Sequence, residues 1–356
     1  MTRLEKLRTK LHAQGLDGIL ITNRENRRYL SGFTGSAGIL VIGSQEALLV
    51  TDFRYWEQAS LESKDFELYR QGPQLWPSLG ELLQKLNWER VGFEAGDLTY
   101  LDYQNLVGIL ASNSTLIPVY GLVEELRQVK EEREIELIAK AAVITDLAWE
   151  KTVRRVRPGV KERDLALEFD YQLRLNGAEG NAFPTIVAFG SRAALPHAAP
   201  GGKELRVGDF ILIDGGAAYQ GYNADLTRTV VFGKADQKQG KVYQLVLQAQ
   251  QAALEYMKAG LVGREIDAKA RGVIATAGYA DYFGHGLGHS VGLNIHENPR
   301  LSPSEPNQIP TGAVITVEPG VYLPKWGGVR IEDLVVVEED GIRNLTGAPK
   351  EMLMEI

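Results

Sequence analysis

Three of the chain's five histidines, His285, His289 and His296, fall within the single stretch GHGLGHSVGLNIHE at residues 284–297. A fourth, His197, follows Pro196. The same half of the chain carries Asp214 and Asp225 in DGGAAYQGYNAD, Glu318 in TVEPG and Glu332 in GVRIED. Imidazole with several carboxylates, set among glycines that let backbones approach closely, is the donor set of a divalent-metal hydrolytic site. A single ion that must leave room for a substrate does not need four carboxylates; two ions about 3.5–4 Å apart do. Oxygen-rich ligation with some nitrogen suits Mn²⁺, Co²⁺, Fe²⁺ or Zn²⁺ alike.

The spacing says how such groups would meet. Asp214 closes the apolar run FILID and Asp225 directly precedes LTRTVVF, with Gly215, Gly216 and Gly221 between them. A hairpin there brings both carboxylates to one place. His289 and His296 stand two helical turns apart, but Gly286, Gly288 and Gly292 argue against a helix and for a loop or irregular strand. Glu318 follows the apolar run 313–317 and precedes Pro319-Gly320, and Glu332 interrupts the run 329–337. Taken singly, each aspartate reads as a turn residue and each glutamate as an outward-facing position on an edge strand. Acids in such runs are costly to bury unless paired or metal-bound, and their joint occurrence with clustered histidines points to a site.

These groups need a scaffold, and 356 residues suggest two domains. The first third alternates short helices and strands: a helix on MTRLEKLRTKLHAQG, strands at 18–22, 38–42, 47–51 and 91–94, and helices at 53–61 and 79–85. The boundary is expected at 118–122, giving an α/β domain over 1–122 and an α+β domain over 123–356. In the second, helical patterns cover 123–155, 161–175, 239–259 and 263–277, and strand patterns cover 185–189, 210–214, 227–232, 314–318 and 329–337. A net charge of −7 with no basic run disfavours nucleic acid as a partner. The absence of cysteine excludes disulfides, thiolate ligands and a cysteine nucleophile. No apolar stretch of about 18 residues exists, so no membrane span is expected, and the default location is the cytoplasm.

The pair of aspartates with ten residues between them, HGLGH, EPG and RIED occur here in the order in which they occur in the M24 metallopeptidases, which this half of the chain resembles. The resemblance implies a pita-bread catalytic domain and two divalent ions, Mn²⁺ first, with Co²⁺, Zn²⁺ or Fe²⁺ as alternatives. The implied ligands are Asp214, Asp225, His289, Glu318 and Glu332. Asp225 and Glu332 would bridge the ions, Asp214 would belong to one, and His289 and Glu318 to the other. The segments YLSGFTGSAG at 29–38 and TDFRYWEQA at 51–59 resemble the creatinase-type N-terminal domain, which favours the proline-specific branch. The expected activity is hydrolysis of Xaa-Pro bonds, as an Xaa-Pro dipeptidase (prolidase). The alternatives are an aminopeptidase P acting on longer peptides and a noncatalytic peptide-binding module. By the same resemblance Glu318 also shuttles a proton, His197 and His296 stabilise substrate and oxyanion, and His285 and Phe183 line the proline pocket. Arg300 would receive a dipeptide's free carboxylate, and Arg330 would orient a ligand or touch substrate. Thr227 would hydrogen-bond solvent at the metals, and the chain would be a homodimer.

Overall fold

The computed structural model describes all of residues 1–356. The chain divides into two compact units, Met1–Arg127 and Gln128–Ile356. No helix is long and apolar enough to cross a membrane.

The first unit is built on a six-stranded sheet. Its strands are β1 (Gly18–Ile21), β2 (Ile39–Gly43), β3 (Ala47–Thr51), β4 (Glu67–Arg70), β5 (Arg90–Glu94) and β6 (Thr115–Val119), in the order β4-β3-β2-β1-β5-β6. The antiparallel β2–β3 hairpin falls where the pattern places it. The four central strands are apolar and largely buried, and the two that the pattern misses, β4 and β6, are the half-exposed edges. Pro118 sits in β6, an edge strand that tolerates the missing N–H. The expected boundary at 118–122 therefore falls on structure: β6 and the short helix Leu122–Arg127 both belong to the first unit.

A buried polar knot ties this unit together. Glu94 Oε2 accepts from the Thr22 and Asn23 N–H groups, both at 2.7 Å, and Oε1 accepts from Asn26 Nδ2 at 2.6 Å. Burial outweighs these hydrogen bonds and raises the Glu94 carboxyl from 4.5 to about 7. Between those values the folded chain keeps a proton that the unfolded chain releases, so the stability this group contributes is present below about 4.5 and is lost as pH rises toward 7. Hydrogen-exchange protection of β1 and β5 should therefore weaken across that window, and Glu94→Gln should flatten the dependence; an equally steep dependence in the variant would assign it to another group.

The second unit opens with a break in what reads as one long helix at 123–155. The structure stops at Arg127 and restarts at Glu132–Val153, because the Glu131 and Glu134 side chains form a reciprocal cap that starts a new helix there. The helix Glu162–Leu175 follows and ends before Gly177, whose φ of 106° suits only glycine. Two further helices, Gln237–Tyr256 and Gly263–Thr276, pack against each other.

The strands of this unit are β7 (Gly180–Asn181), β8 (Ile186–Phe189), β9 (Phe210–Asp214), β10 (Ala217–Tyr219), β11 (Tyr222–Asn223), β12 (Thr227–Val231), β13 (Gly288–Ser290), β14 (Glu297–Leu301), β15 (Val314–Val317), β16 (Gly320–Leu323), β17 (Gly327–Arg330), β18 (Asp333–Val337) and β19 (Ile342–Asn344). They form sheets in the orders β12-β9-β8, β14-β13-β15-β18-β19, β11-β10-β7 and β16-β17. Residues of β9, β12, β15, β17 and β18 contribute fully buried side chains to one apolar core with the helix Gln237–Tyr256. The expected single strand at 329–337 is two strands, β17 and β18, which belong to different sheets and part at Ile331-Glu332.

Candidate metal centre

Each acid sits where a strand ends. Asp214 is the last residue of β9, and in the antiparallel β9–β12 ladder it lies opposite Thr227, two residues after Asp225. The residues between the aspartates make the β10–β11 hairpin, whose turn residues Gln220 and Gly221 both have positive φ. The turn after Asp214 depends on Gly216, where a Cβ would lie 1.7 Å from the Ala224 carbonyl oxygen. The β15–β18 ladder pairs Val317 with Asp333. Continued by one residue, that register sets Glu318 beside Glu332.

His289 lies on β13, in an irregular strand as the glycines indicate. At Gly288 a Cβ would meet the Thr316 oxygen at 1.9 Å, so glycine is what lets β13 approach β15. His289 Nε2 then stands 3.4 Å from Glu318 Oε1 and 3.7 Å from Asp225 Oδ2. Asp214, Asp225 and Glu332 each offer an oxygen within 4.8 Å of the others'.

These groups open into a cavity of about 530 Å³. His197, His285, His296, Phe183, Arg300 and Arg330 line it as well, so every candidate site residue except Thr227 converges there. The rings of His289 and His296 meet edge to face with centroids 4.4 Å apart. His285 Nε2 is 2.9 Å from the Tyr322 hydroxyl. Arg300 lies opposite His289 in the β13–β14 ladder, with its side chain exposed.

The electrostatics call for cations. Burial raises the Asp225 and Glu332 carboxyls well above their usual range, and repulsion from the neighbouring carboxylates raises them further. Burial pushes Glu318 up to about 7. Asp225 Oδ1 and Glu332 Oε1 are buried without any hydrogen-bond partner. Such atoms are expensive to bury, and divalent ions would satisfy both. Burial lowers His289 to about 3 and His285 to about 4, so each presents a neutral ring. The residues therefore fit the implied metals.

Several groups hold the acids, and of these only Arg330 and Thr227 are candidates by sequence. Arg330 is buried, and its guanidinium donates to Asp214 Oδ2, to Thr227 Oγ1 at 2.9 Å and to the Tyr322 hydroxyl at 2.9 Å. Of the two roles expected for Arg330, this geometry supports orienting a ligand. Thr227, expected to meet solvent at the metals, donates its hydroxyl to Glu332 Oε2 at 2.8 Å. Arg228 donates to the Glu332 carbonyl and to Asp333 Oδ1, fixing the break between β17 and β18. Gln250 Nε2 donates to the carbonyls of Val317 and Ile331, the residues just before Glu318 and Glu332. Thr316 donates to Glu318 Oε1 at 3.1 Å and accepts from the His289 N–H at 3.0 Å. A charged residue within the apolar strand TRTVV was the one available signal for Arg228; Gln250 gave none.

Residues 136–339 match the model of metallopeptidase family M24, and residues 3–129 match that of the creatinase/prolidase N-terminal domain. The chain is 39% identical to an Xaa-Pro dipeptidase of Pyrococcus furiosus, with 99% of both chains covered. Among solved structures it resembles an Xaa-Pro dipeptidase from Bacillus anthracis (40% identity, 99% of each chain, TM-score 0.97). It also resembles an X-Pro aminopeptidase from Thermotoga maritima (38% identity, 99% of this chain and 100% of the other, TM-score 0.93). With a creatinase-type domain ahead of a pita-bread domain whose acids converge as described, the chain belongs to metallopeptidase family M24.

Proposed function

We propose that the protein hydrolyses Xaa-Pro peptide bonds with two divalent metal ions, and that it is an Xaa-Pro dipeptidase. The observation that carries this reading is the convergence of four carboxylates and His289 on one cavity, with Asp225 Oδ1 and Glu332 Oε1 buried and unpartnered. Asp214, Asp225, His289, Glu318 and Glu332 would hold the ions. Mn²⁺ is the metal of this reading, by resemblance. Bound there, the ions supply Lewis acidity to the scissile carbonyl and acidify the attacking water.

The chain's own residues do the rest. An X-Pro bond is a tertiary amide with no N–H, so recognition falls on the ring and the carbonyl. Phe183 and His285 flank the ring. His197 and His296 donate to the carbonyl oxygen as negative charge develops on it. Glu318, steadied by Thr316, carries the proton from the attacking water to the prolyl nitrogen as it leaves. Arg330 and Thr227 keep Asp214 and Glu332 in place. The same resemblance carries the assignments of a homodimer and a cytoplasmic location; sedimentation mass checks the first.

Arg300 decides between dipeptide and longer substrate. A dipeptide ends in a carboxylate on the proline itself, which a guanidinium at the rim of the cavity can bind. Such a charge-assisted bond contributes roughly 1.5–3 kcal/mol, or about ten- to more than hundredfold in kcat/KM. Arg300→Ala should impair Xaa-Pro dipeptides by that order and Xaa-Pro-Yaa peptides much less. The likeness to the Thermotoga aminopeptidase structure supports a second reading, action on longer peptides. Equal or better cleavage of tripeptides by the parent enzyme, with Arg300→Ala harming both substrates alike, would replace the first reading by the second.

A further inference from the structure

His289 and His296 project into the cavity from a hairpin whose ladder is imperfect. The β13–β14 register shifts between His289 and Ser290, so main-chain pairing alone does not set the spacing of the two histidines. The residue after each histidine is held from behind. Ser290 follows His289, Glu297 follows His296, and the two are cross-strand partners just past the shift. Neighbours in a strand point to opposite sides, so Ser290 faces away from His289 in β13, and Glu297 opens β14 directly after the bend that carries His296; contacts made by Ser290 and Glu297 hold the chain behind both histidines.

One cation makes both contacts. Lys130 Nζ donates to Ser290 Oγ at 3.0 Å and to Glu297 Oε2 at 3.1 Å. The Lys130 side chain is 1% exposed and that of Glu297 is 7% exposed, so the pair is dry. Each arm is anchored further: Ser290 Oγ donates to the Val314 carbonyl at 2.8 Å, and Glu297 Oε1 accepts from the Asn294 N–H at 3.0 Å. Lys130 is fixed in turn, since its own N–H donates to the Gly312 carbonyl. It lies in the short stretch between the two helices that the sequence presents as one.

We propose that Lys130 is a positioning residue that sets the spacing of His289 and His296 by clamping Ser290 and Glu297 across the β13–β14 irregularity. This rests on the reading of His289 as a metal ligand and of His296 as a substrate-facing group.

Removing the lysine alone takes the cation away from a buried carboxylate and can unfold the protein for that reason. The informative variant is therefore Lys130→Met/Glu297→Gln, which removes both charges of the pair together while the new side-chain amide keeps an acceptor for the Asn294 N–H. The full chain is compared with its parent in three measurements: thermal midpoint without metal, Mn²⁺ affinity by calorimetry, and kcat and KM on an Xaa-Pro dipeptide. The double variant should unfold close to the parent's midpoint, yet bind Mn²⁺ and turn over roughly 10–100-fold less well, with KM nearly unchanged. Ser290→Ala, which removes one arm and no charge, should shift Mn²⁺ affinity and kcat the same way and serves if the double variant does not fold. Parent-like Mn²⁺ affinity and kcat in a folded double variant, or in Ser290→Ala if that is the variant that folds, would overturn the clamp. A parent that cleaves no Xaa-Pro peptide with any metal would instead overturn the functional reading, and the Mn²⁺ titration would still decide the clamp.

Discussion

Asp225→Asn should reduce turnover by well over the roughly 10–100-fold that losing an outer partner of a metal site costs. The substitution keeps the shape of the side chain and removes its charge and one ligating oxygen. Asp225 is buried, one of its oxygens has no hydrogen-bond partner, and its neighbours Asp214 and Glu318 repel its negative charge. Two effects of opposite sign follow. Without metal, the variant should be at least as resistant to heat as the parent, because a buried repulsion is gone. With Mn²⁺ present, the parent should gain a stabilisation that the variant lacks, because ligands that bind only the folded state stabilise it by mass action. A chelator should abolish parental activity and Mn²⁺ or Co²⁺ should restore it. Cleavage of Xaa-Pro substrates by the fully chelated enzyme would rule out the metal mechanism. Metal binding with no cleavage of any proline peptide would favour a binding module on the same fold.

The second large effect belongs to the histidines outside the ligand set. His296→Ala and His197→Ala should each lower kcat by about 10²–10³, the usual cost of removing one donor to a developing oxyanion, while two metal ions still bind. Both side chains line the cavity from exposed positions, and His296 packs edge to face against His289. That contact makes the assignment testable. Elemental analysis showing one ion lost from His296→Ala would mean that the roles of His289 and His296 are exchanged.

The acids and histidines were legible in the sequence for a local reason. Each acid ends or interrupts an apolar run, and a charge at the end of a buried strand has to be used or neutralised. Apart from Arg330 and Thr227, what held them in place was not legible, because it comes from far along the chain. GVRIEDLVVV is uniformly strand-forming, yet it breaks at Glu332 because Arg228, Thr227 and Gln250 capture its backbone and carboxylate. The helical pattern at 123–155 breaks because two glutamates cap a new start at Glu132 and Lys130 is drawn beneath β13 and β14. In the first unit the buried strands β1, β2, β3 and β5 declare themselves by apolar content. The edge strands β4 and β6 and the polar helix Arg24–Ser31 (RENRRYLS) are held by tertiary contacts that no local pattern signals.

Gln250 joins the carbonyls ahead of Glu318 and Glu332, and its own oxygen accepts from Lys350 at 2.7 Å. Lys350 also meets Asp333, and beyond it Met354 and Ile356 pair with Val231 at the end of β12. Residues from Asp214 to Ile356 thus close one circuit around the acids. Such long-range closures carry a large loop-entropy cost and form slowly. The complete ligand set accordingly needs the segment 350–356 to be docked. Until those contacts form, the carboxylates stand one at a time, with little affinity for any ion.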